Sequence, residues 1–273
     1  MSQYQLIAFD MDGTLLNSNK QISPETLNAI KRATDAGKTV ILCTGRNLAE
    51  LNAFTEIIPG LRYLDCVSGA CVYDLKEKKT LYFQALDPGI VKKLMEFGME
   101  EGAMIHVLSE RSIVQKDQQS HMADFHMGIY QTMFDQITDK LENIYNSFCE
   151  EPFPVLNLYH RDEASRARTV ERIKVAGLET ALALAESTSL ECSAKGIDKG
   201  VGLKKLCEHL GLPLEQTIAV GDADNDTMAL KTAGLAVAMG NATEPIKALA
   251  DVIVADCDHN GCAEAIDKYL LAD

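Results

Sequence analysis

The chain has 273 residues, 47% hydrophobic and 24% charged, with Gly and Pro not in excess. That composition supports a buried core and argues against general disorder. A net charge of −14 and a pI near 4.9 repel phosphate backbones and anionic bilayers, which argues against nucleic-acid and membrane-surface roles.

Gln5 to Phe9 is a short apolar run ending in Asp10, and it reads as a buried strand. Ser23-Pro24 supplies an N-cap and a first-turn proline, Leu27, Ile30 and Ala33 follow at helical spacing, and Gly37 fits the stop. Thr39 to Cys43 is a second all-apolar strand, ending in Thr44-Gly45-Arg46. Strand, helix and strand with continuous apolar runs predict a parallel sheet covered on both faces. The same rhythm returns late. Lys199 to Leu210 reads as a helix stopped by Gly211, and Thr217 to Val220 as a strand ending in Gly221-Asp222. Met228 to Thr232 and Glu244 to Ala250 read as helices, with strands at Leu235 to Met239 and Val252 to Val254. The middle differs. Met104 to Leu108 and Ser112 to Gln115 suggest a hairpin. Ile137 to Cys149 and Ala164 to Val175 suggest amphipathic helices, and Val155 to Tyr159, Ala181 to Ala185 and Ser189 to Cys192 suggest strands. The expected architecture is α/β, a Rossmann-like parallel-sheet core of residues 1–81 and 193–273. An α+β cap of residues 82–192 is inserted after the third core strand, with the active site where the two meet.

The 8 Cys include no C-x-x-C pair and no cluster with zinc-finger spacing, so all eight, Cys149 among them, are read as free thiols of a reducing, cytoplasmic setting. The first ten residues reach an aspartate too soon for a signal peptide, and no apolar run is long enough to span a bilayer. His121 and His126, five apart, read as structural or exposed, and Met99, Met104, Met122, Met127 and Met133 as filler of the insert's core.

Ligands of open parallel sheets bind beyond the carboxyl ends of the strands. Three apolar runs here end in polar residues: Asp10-Met11-Asp12-Gly13-Thr14, Thr44-Gly45-Arg46, and Gly221-Asp222-Ala223-Asp224-Asn225-Asp226. On one rim, Asp10, Asp12, Asp222 and Asp226 would repel one another without a cation, and an oxygen-only donor set suits Mg²⁺. A carboxylate can attack phosphorus. A second carboxyl two residues on can protonate the leaving oxygen and then activate water. Thr44 and Lys199 are the candidate hydroxyl and cation for the phosphoryl oxygens. Asp224 reads as a water-facing loop residue, and the DADND run lacks the Gly and the terminal Glu of a calcium loop.

FDMDGTLL at 9–16, CTGR at 43–46, Lys199 in GIDKGVGL and GDADNDTMAL at 221–230 resemble, in order, the four motifs of the haloacid dehalogenase superfamily. The resemblance is to its Cof-type phosphatases with a type IIB cap. SGA at 68–70 stands where many members carry Asn-Gly-Ala, so Ser68 departs from the pattern; AMGNA at 238–242 matches a late strand and turn. The resemblance implies Asp10 as nucleophile and Asp12 as general acid/base. It implies Mg²⁺ held by Asp10, the backbone carbonyl of Asp12, and Asp222, and a phosphate site of Thr44, Gly45, Lys199 and Asn225. Asp226 and Arg46 would be supporting residues. The implied substrate is a small phosphorylated metabolite: a sugar phosphate, a nucleotide or flavin phosphate, or pyridoxal phosphate. A phosphomutase-type transferase and a non-catalytic phosphometabolite-binding protein are the alternatives. Dehalogenation is disfavoured by Asp12, since that chemistry needs no leaving-group acid.

Overall fold

The computed structural model describes residues 3–108, 111–142, 144–147, 152–184 and 188–272. Five strands come first: β1 (Leu6–Phe9), β2 (Thr39–Cys43), β3 (Tyr63–Cys66), β4 (Cys71–Asp74) and β5 (Lys79–Phe83). Six follow in the insert: β6 (Met104–Leu108), β7 (Ser112–Gln115), β8 (Thr138–Leu141), β9 (Val155–Tyr159), β10 (Thr180–Ala183) and β11 (Ser189–Ala194). Three close the chain: β12 (Thr217–Gly221), β13 (Leu235–Ala238) and β14 (Val252–Ile253). The residues form two compact units. One comprises Met1–Gly45, Asn52–Phe83 and Asp198–Asp273; the other comprises Arg46–Leu51 and Gln84–Ile197.

The first unit holds an eight-stranded sheet in the order β14-β13-β12-β1-β2-β3-β4-β5. From β14 to β3 every pairing is parallel, the doubly wound arrangement expected from the sequence. β1 is buried throughout, because helices on both faces leave its LIAF side chains no contact with water. The helix Pro24–Asp35 starts where Ser23 accepts the Thr26 N–H through its side chain, as the Ser-Pro pair predicts. The helix Lys199–Leu210 starts at the Asp198 cap, whose side chain accepts the Val201 N–H, and ends at left-handed Gly211.

The insertion point corrects the sequence reading. The insert follows the fifth strand, because β4 and β5 extend the sheet antiparallel to β3 before the chain leaves it. The β3–β4 turn places Val67, Ser68 and Gly69 consecutively at positive φ. Gly suits that region, whereas Val and Ser are held there against their preference.

The second unit is α+β, a six-stranded sheet in the order β10-β11-β9-β6-β7-β8. Ile105, Val107, Leu156, Leu158 and Leu190 alternate along its strands and pack with Val91, Leu94, Met95 and Ile173 of the helices Pro88–Glu100 and Glu163–Val175. Met104, Met122, Met127 and Phe134 join a second apolar cluster, while Met99 is 44% exposed and fills no core. The expected helix over Ile137 to Cys149 is also corrected. A helix Gln131–Ile137 stops where the Thr138 hydroxyl bonds to the Phe134 carbonyl, and TDKL then pairs parallel to β7 as β8. Cys149 and Ala185 lie outside the described residues. The seven described cysteines are free, all buried but half-buried Cys257, and His121 and His126 are exposed. Among the described residues, no helix is long and apolar enough to cross a membrane.

Candidate active site

β12, β1 and β2 are parallel neighbours, so their carboxyl ends share one edge, and the three motif loops leave from it. Asp10 follows β1 directly. Its N–H continues the ladder to the Val220 carbonyl at 3.0 Å, and the residue is only 5% exposed. The chain then winds tightly, with Leu15 N–H donating to Asp10 O and Leu16 N–H to Met11 O.

Gly13 is required twice over. Its φ of +80° favours glycine, and a Cβ there would lie 2.4 Å from Asp222 Oδ2. The approach lets the Thr14 hydroxyl donate to Asp222 Oδ1 at 2.8 Å. From the turn after β13, Asn241 Nδ2 donates to Gly13 O at 2.8 Å and fixes the same loop.

Lys199 opens its helix and is 1% exposed. Its ammonium donates to Asp10 Oδ1 at 2.6 Å and to Asp226 Oδ1 at 2.7 Å. Asp226 Oδ2 accepts the backbone N–H groups of Asp222 and Ala223, so one carboxylate orients the lysine and shapes the β12 loop together. Gly221 makes room for it, since a Cβ there would lie 2.5 Å from Asp226 Cβ.

Carboxylate oxygens of Asp10, Asp222 and Asp226 lie within 4.8 Å of one another. Three carboxylates against one ammonium leave two negative charges when all are ionised, the deficit one divalent cation would fill. The imbalance shows in the acidities. Burial first, and then Asp226, hold the Asp10 carboxyl well above its usual range despite Lys199. Burial, with Asp226 next, pushes Asp222 up to about 6. With no His or Cys in the group, the donor set fits a hard, oxygen-liking cation. Both oxygens of Asp226 are already engaged, which leaves Asp10 and Asp222 as the better donors.

The remaining sequence candidates divide. Thr44 is buried at the end of β2, its N–H donating to Asp65 O and its carbonyl accepting the Ser68 N–H, with Gly45 following in the same unit. Asn225 sits in the short turn Asp224–Asp226 and keeps a buried Oδ1 without a protein partner; Asp224 is exposed. The Asp12 carboxylate, 33% exposed, is 2.8 Å from Lys20 Nζ. Arg46 belongs to the second unit, where its guanidinium lies 5.7 Å from the Tyr130 ring centroid and Nη1 is 3.6 Å from Met133 Sδ. The sequence reading assigned no role to Thr14, Lys20 or Asn241. Thr14 and Asn241 stand inside motifs it quoted, and nothing local marks Lys20.

Comparison with known proteins agrees with this geometry. The family model described as haloacid dehalogenase-like hydrolase matches residues 7–266. The phosphatase YwpJ of Bacillus subtilis is 29% identical, with 98% of this chain and 100% of that protein covered. The 5-amino-6-(5-phospho-D-ribitylamino)uracil phosphatase YcsE of the same organism is 29% identical, with 98% and 96% covered. A solved haloacid dehalogenase-like hydrolase from B. subtilis superposes with a TM-score of 0.85 at 26% identity, covering 97% of this chain and 99% of that one. With three motif loops on one sheet edge, Lys199 bonded to Asp10, and the family model spanning nearly the whole sequence, the chain belongs to the haloacid dehalogenase-like hydrolases.

Proposed function

We propose that the protein is a Mg²⁺-dependent phosphatase of small phosphorylated metabolites, working through an aspartyl-phosphate on Asp10. The observation that carries this reading is the buried Lys199 ammonium bridging Asp10 and Asp226 beside Asp222. A carboxylate held and aimed by a fixed cation is placed to act as a nucleophile.

In this reading an Asp10 oxygen bonds to phosphorus as the ester oxygen departs, and Asp12 gives that oxygen a proton. Asp12 then takes a proton from water, which attacks the acyl phosphate, frees inorganic phosphate and restores Asp10. Lys199 and Thr44 hold the phosphoryl oxygens, with Gly45 and Asn225 completing the phosphate site. Asp10, Asp222 and the backbone carbonyl of Asp12 would hold the metal. When bound, Mg²⁺ supplies positive charge to the transferring phosphoryl group. The inserted unit sets substrate choice. The 5-amino-6-(5-phospho-D-ribitylamino)uracil phosphatase YcsE and an HMP-PP phosphatase, each 29% identical to this chain, support a small-metabolite substrate.

The test is steady-state phosphate release, with Mg²⁺, from p-nitrophenyl phosphate and a panel of phosphorylated metabolites ranked by kcat/KM. Asp10→Asn keeps the side-chain shape and removes the nucleophile, so turnover of every substrate is expected to vanish. Asp10→Asn activity within about tenfold of wild type would defeat covalent catalysis at this residue.

A further inference from the structure

Asp65 is a buried carboxyl that the phosphatase reading does not use. It sits third in β3 at 0% exposure, its Oδ1 without a hydrogen-bond partner. Room for it is made in the first turn of the Lys199 helix, where a Cβ on Gly202 would lie 1.9 Å from Asp65 Oδ1. A glycine inside a helix and a buried unpaired polar atom each cost stability. An apolar residue in β3 and an alanine in the helix would avoid both costs.

Its other oxygen leads to the catalytic machinery. Cys43 Sγ is 3.0 Å from Asp65 Oδ2 and 3.9 Å from the Lys199 carbonyl oxygen. A thiol has one hydrogen and cannot serve both acceptors. Burial pushes the Asp65 carboxyl up to about 8, so at neutral pH it keeps its proton. The conflict then resolves. The acid O–H donates to the Cys43 sulfur, and the S–H is released to the Lys199 carbonyl. Cys43 stays a thiol, its acidity weakened above all by burial. β3, the end of β2 and the first residue of the Lys199 helix are thereby joined in one neutral chain.

We propose that Asp65 is a positioning residue that fixes the main chain of Lys199 through Cys43, and so aims the ammonium at Asp10. The proposal rests on the reading of Lys199 as the phosphoryl-binding cation.

The experiment compares wild type, D65L, D65N, C43A and C43S in the full chain, by p-nitrophenyl phosphate kinetics with Mg²⁺ and by thermal melting. A misplacement of about 1 Å can cost roughly a hundredfold, so D65L and C43A are expected to lose kcat on the order of tenfold with little change in KM. D65N and C43S keep a donor and an acceptor in the chain and should stay within about threefold of wild type. Should D65L fail to fold, the C43A and C43S pair decides. Backbone hydrogen exchange at Val201 and Gly202, whose N–H groups bond to Asp198, reads the same positioning without turnover and should quicken in D65L and C43A. Wild-type kcat in folded D65L and C43A, unchanged exchange, or C43S as impaired as C43A would overturn the proposal. Turnover that survives Lys199→Ala would instead defeat the reading of Lys199 as the phosphoryl-binding cation and leave the exchange result standing.

Discussion

Removing the Lys199 charge while its partners remain probes the site's electrostatics directly. The ammonium is 2.6 Å from Asp10 and 2.7 Å from Asp226, and the three side chains are 1%, 7% and 3% exposed. Deleting one partner of a buried charge pair costs about 3–5 kcal/mol, because the other charge is left without solvent or counterion. For a chain of this size about 1 kcal/mol shifts Tm by roughly 2–4 °C. Lys199→Met should therefore melt roughly 6–20 °C below wild type in excess chelator. Asp226→Asn removes one of the stranded carboxylates, at the cost of weakening its bonds to the Asp222 and Ala223 N–H groups. In the double variant the two losses should fall short of additive by about 1–3 kcal/mol, the coupling expected of groups in direct contact. The assay is calorimetric melting of the four proteins in chelator, with turnover in Mg²⁺ recorded in parallel. A Lys199→Met protein that melts with wild type, or strictly additive losses, would refute the claim that this buried ion triplet organises the site.

Three further outcomes follow from the geometry. Gly13→Ala, strained at φ +80° and driven against Asp222, should lose most activity and weaken Mg²⁺ dependence while the β1 core persists; wild-type kinetics would show the loop yields without consequence. Asp12→Ala should slow alkyl phosphate turnover by about 10²–10⁴-fold and p-nitrophenyl phosphate turnover much less, since a good leaving group hardly needs the proton. Equal losses for both would reduce Asp12 to a structural residue. Asp222→Asn should raise the Mg²⁺ needed for half-maximal rate at least about tenfold, and Ca²⁺, which takes about 6–8 oxygen ligands, should inhibit the wild type. An unchanged Mg²⁺ titration in the variant would remove Asp222 from the metal site.

What could be read in advance follows from how each feature is encoded. Asp10, Thr44 and Asp222 end continuous apolar strands, and a parallel sheet must bring such ends to one edge, so their convergence needs only local patterns. Lys199 is marked by the helix start after Asp198. The bonds that finish the site are of another kind. Thr14 reaches Asp222 across 208 positions, and Asn241 reaches Gly13 across 228. No spacing rule encodes contacts that depend on two loops finding each other. The β3–β4–β5 extension escaped notice because its strands are short and β5 is largely exposed, which leaves little apolar alternation. TDKL is nearly all polar, and its pairing to β7 rather than its propensity makes it a strand. Asp65, a carboxyl within a buried strand, ran against every hydrophobic expectation for its position, and its role depends on a glycine more than a hundred residues away.

The central claim is that the phosphoryl group passes through Asp10. Wild-type protein mixed with excess substrate and Mg²⁺, quenched in acid within the first turnovers and digested, should yield the peptide containing Asp10 with one added phosphoryl group. That mass should disappear on hydroxylamine treatment and be absent from Asp10→Asn. Turnover of p-nitrophenyl phosphate with the Asp10 peptide never phosphorylated, in wild type and in Asp12→Ala where the second step is slowed, would contradict the account.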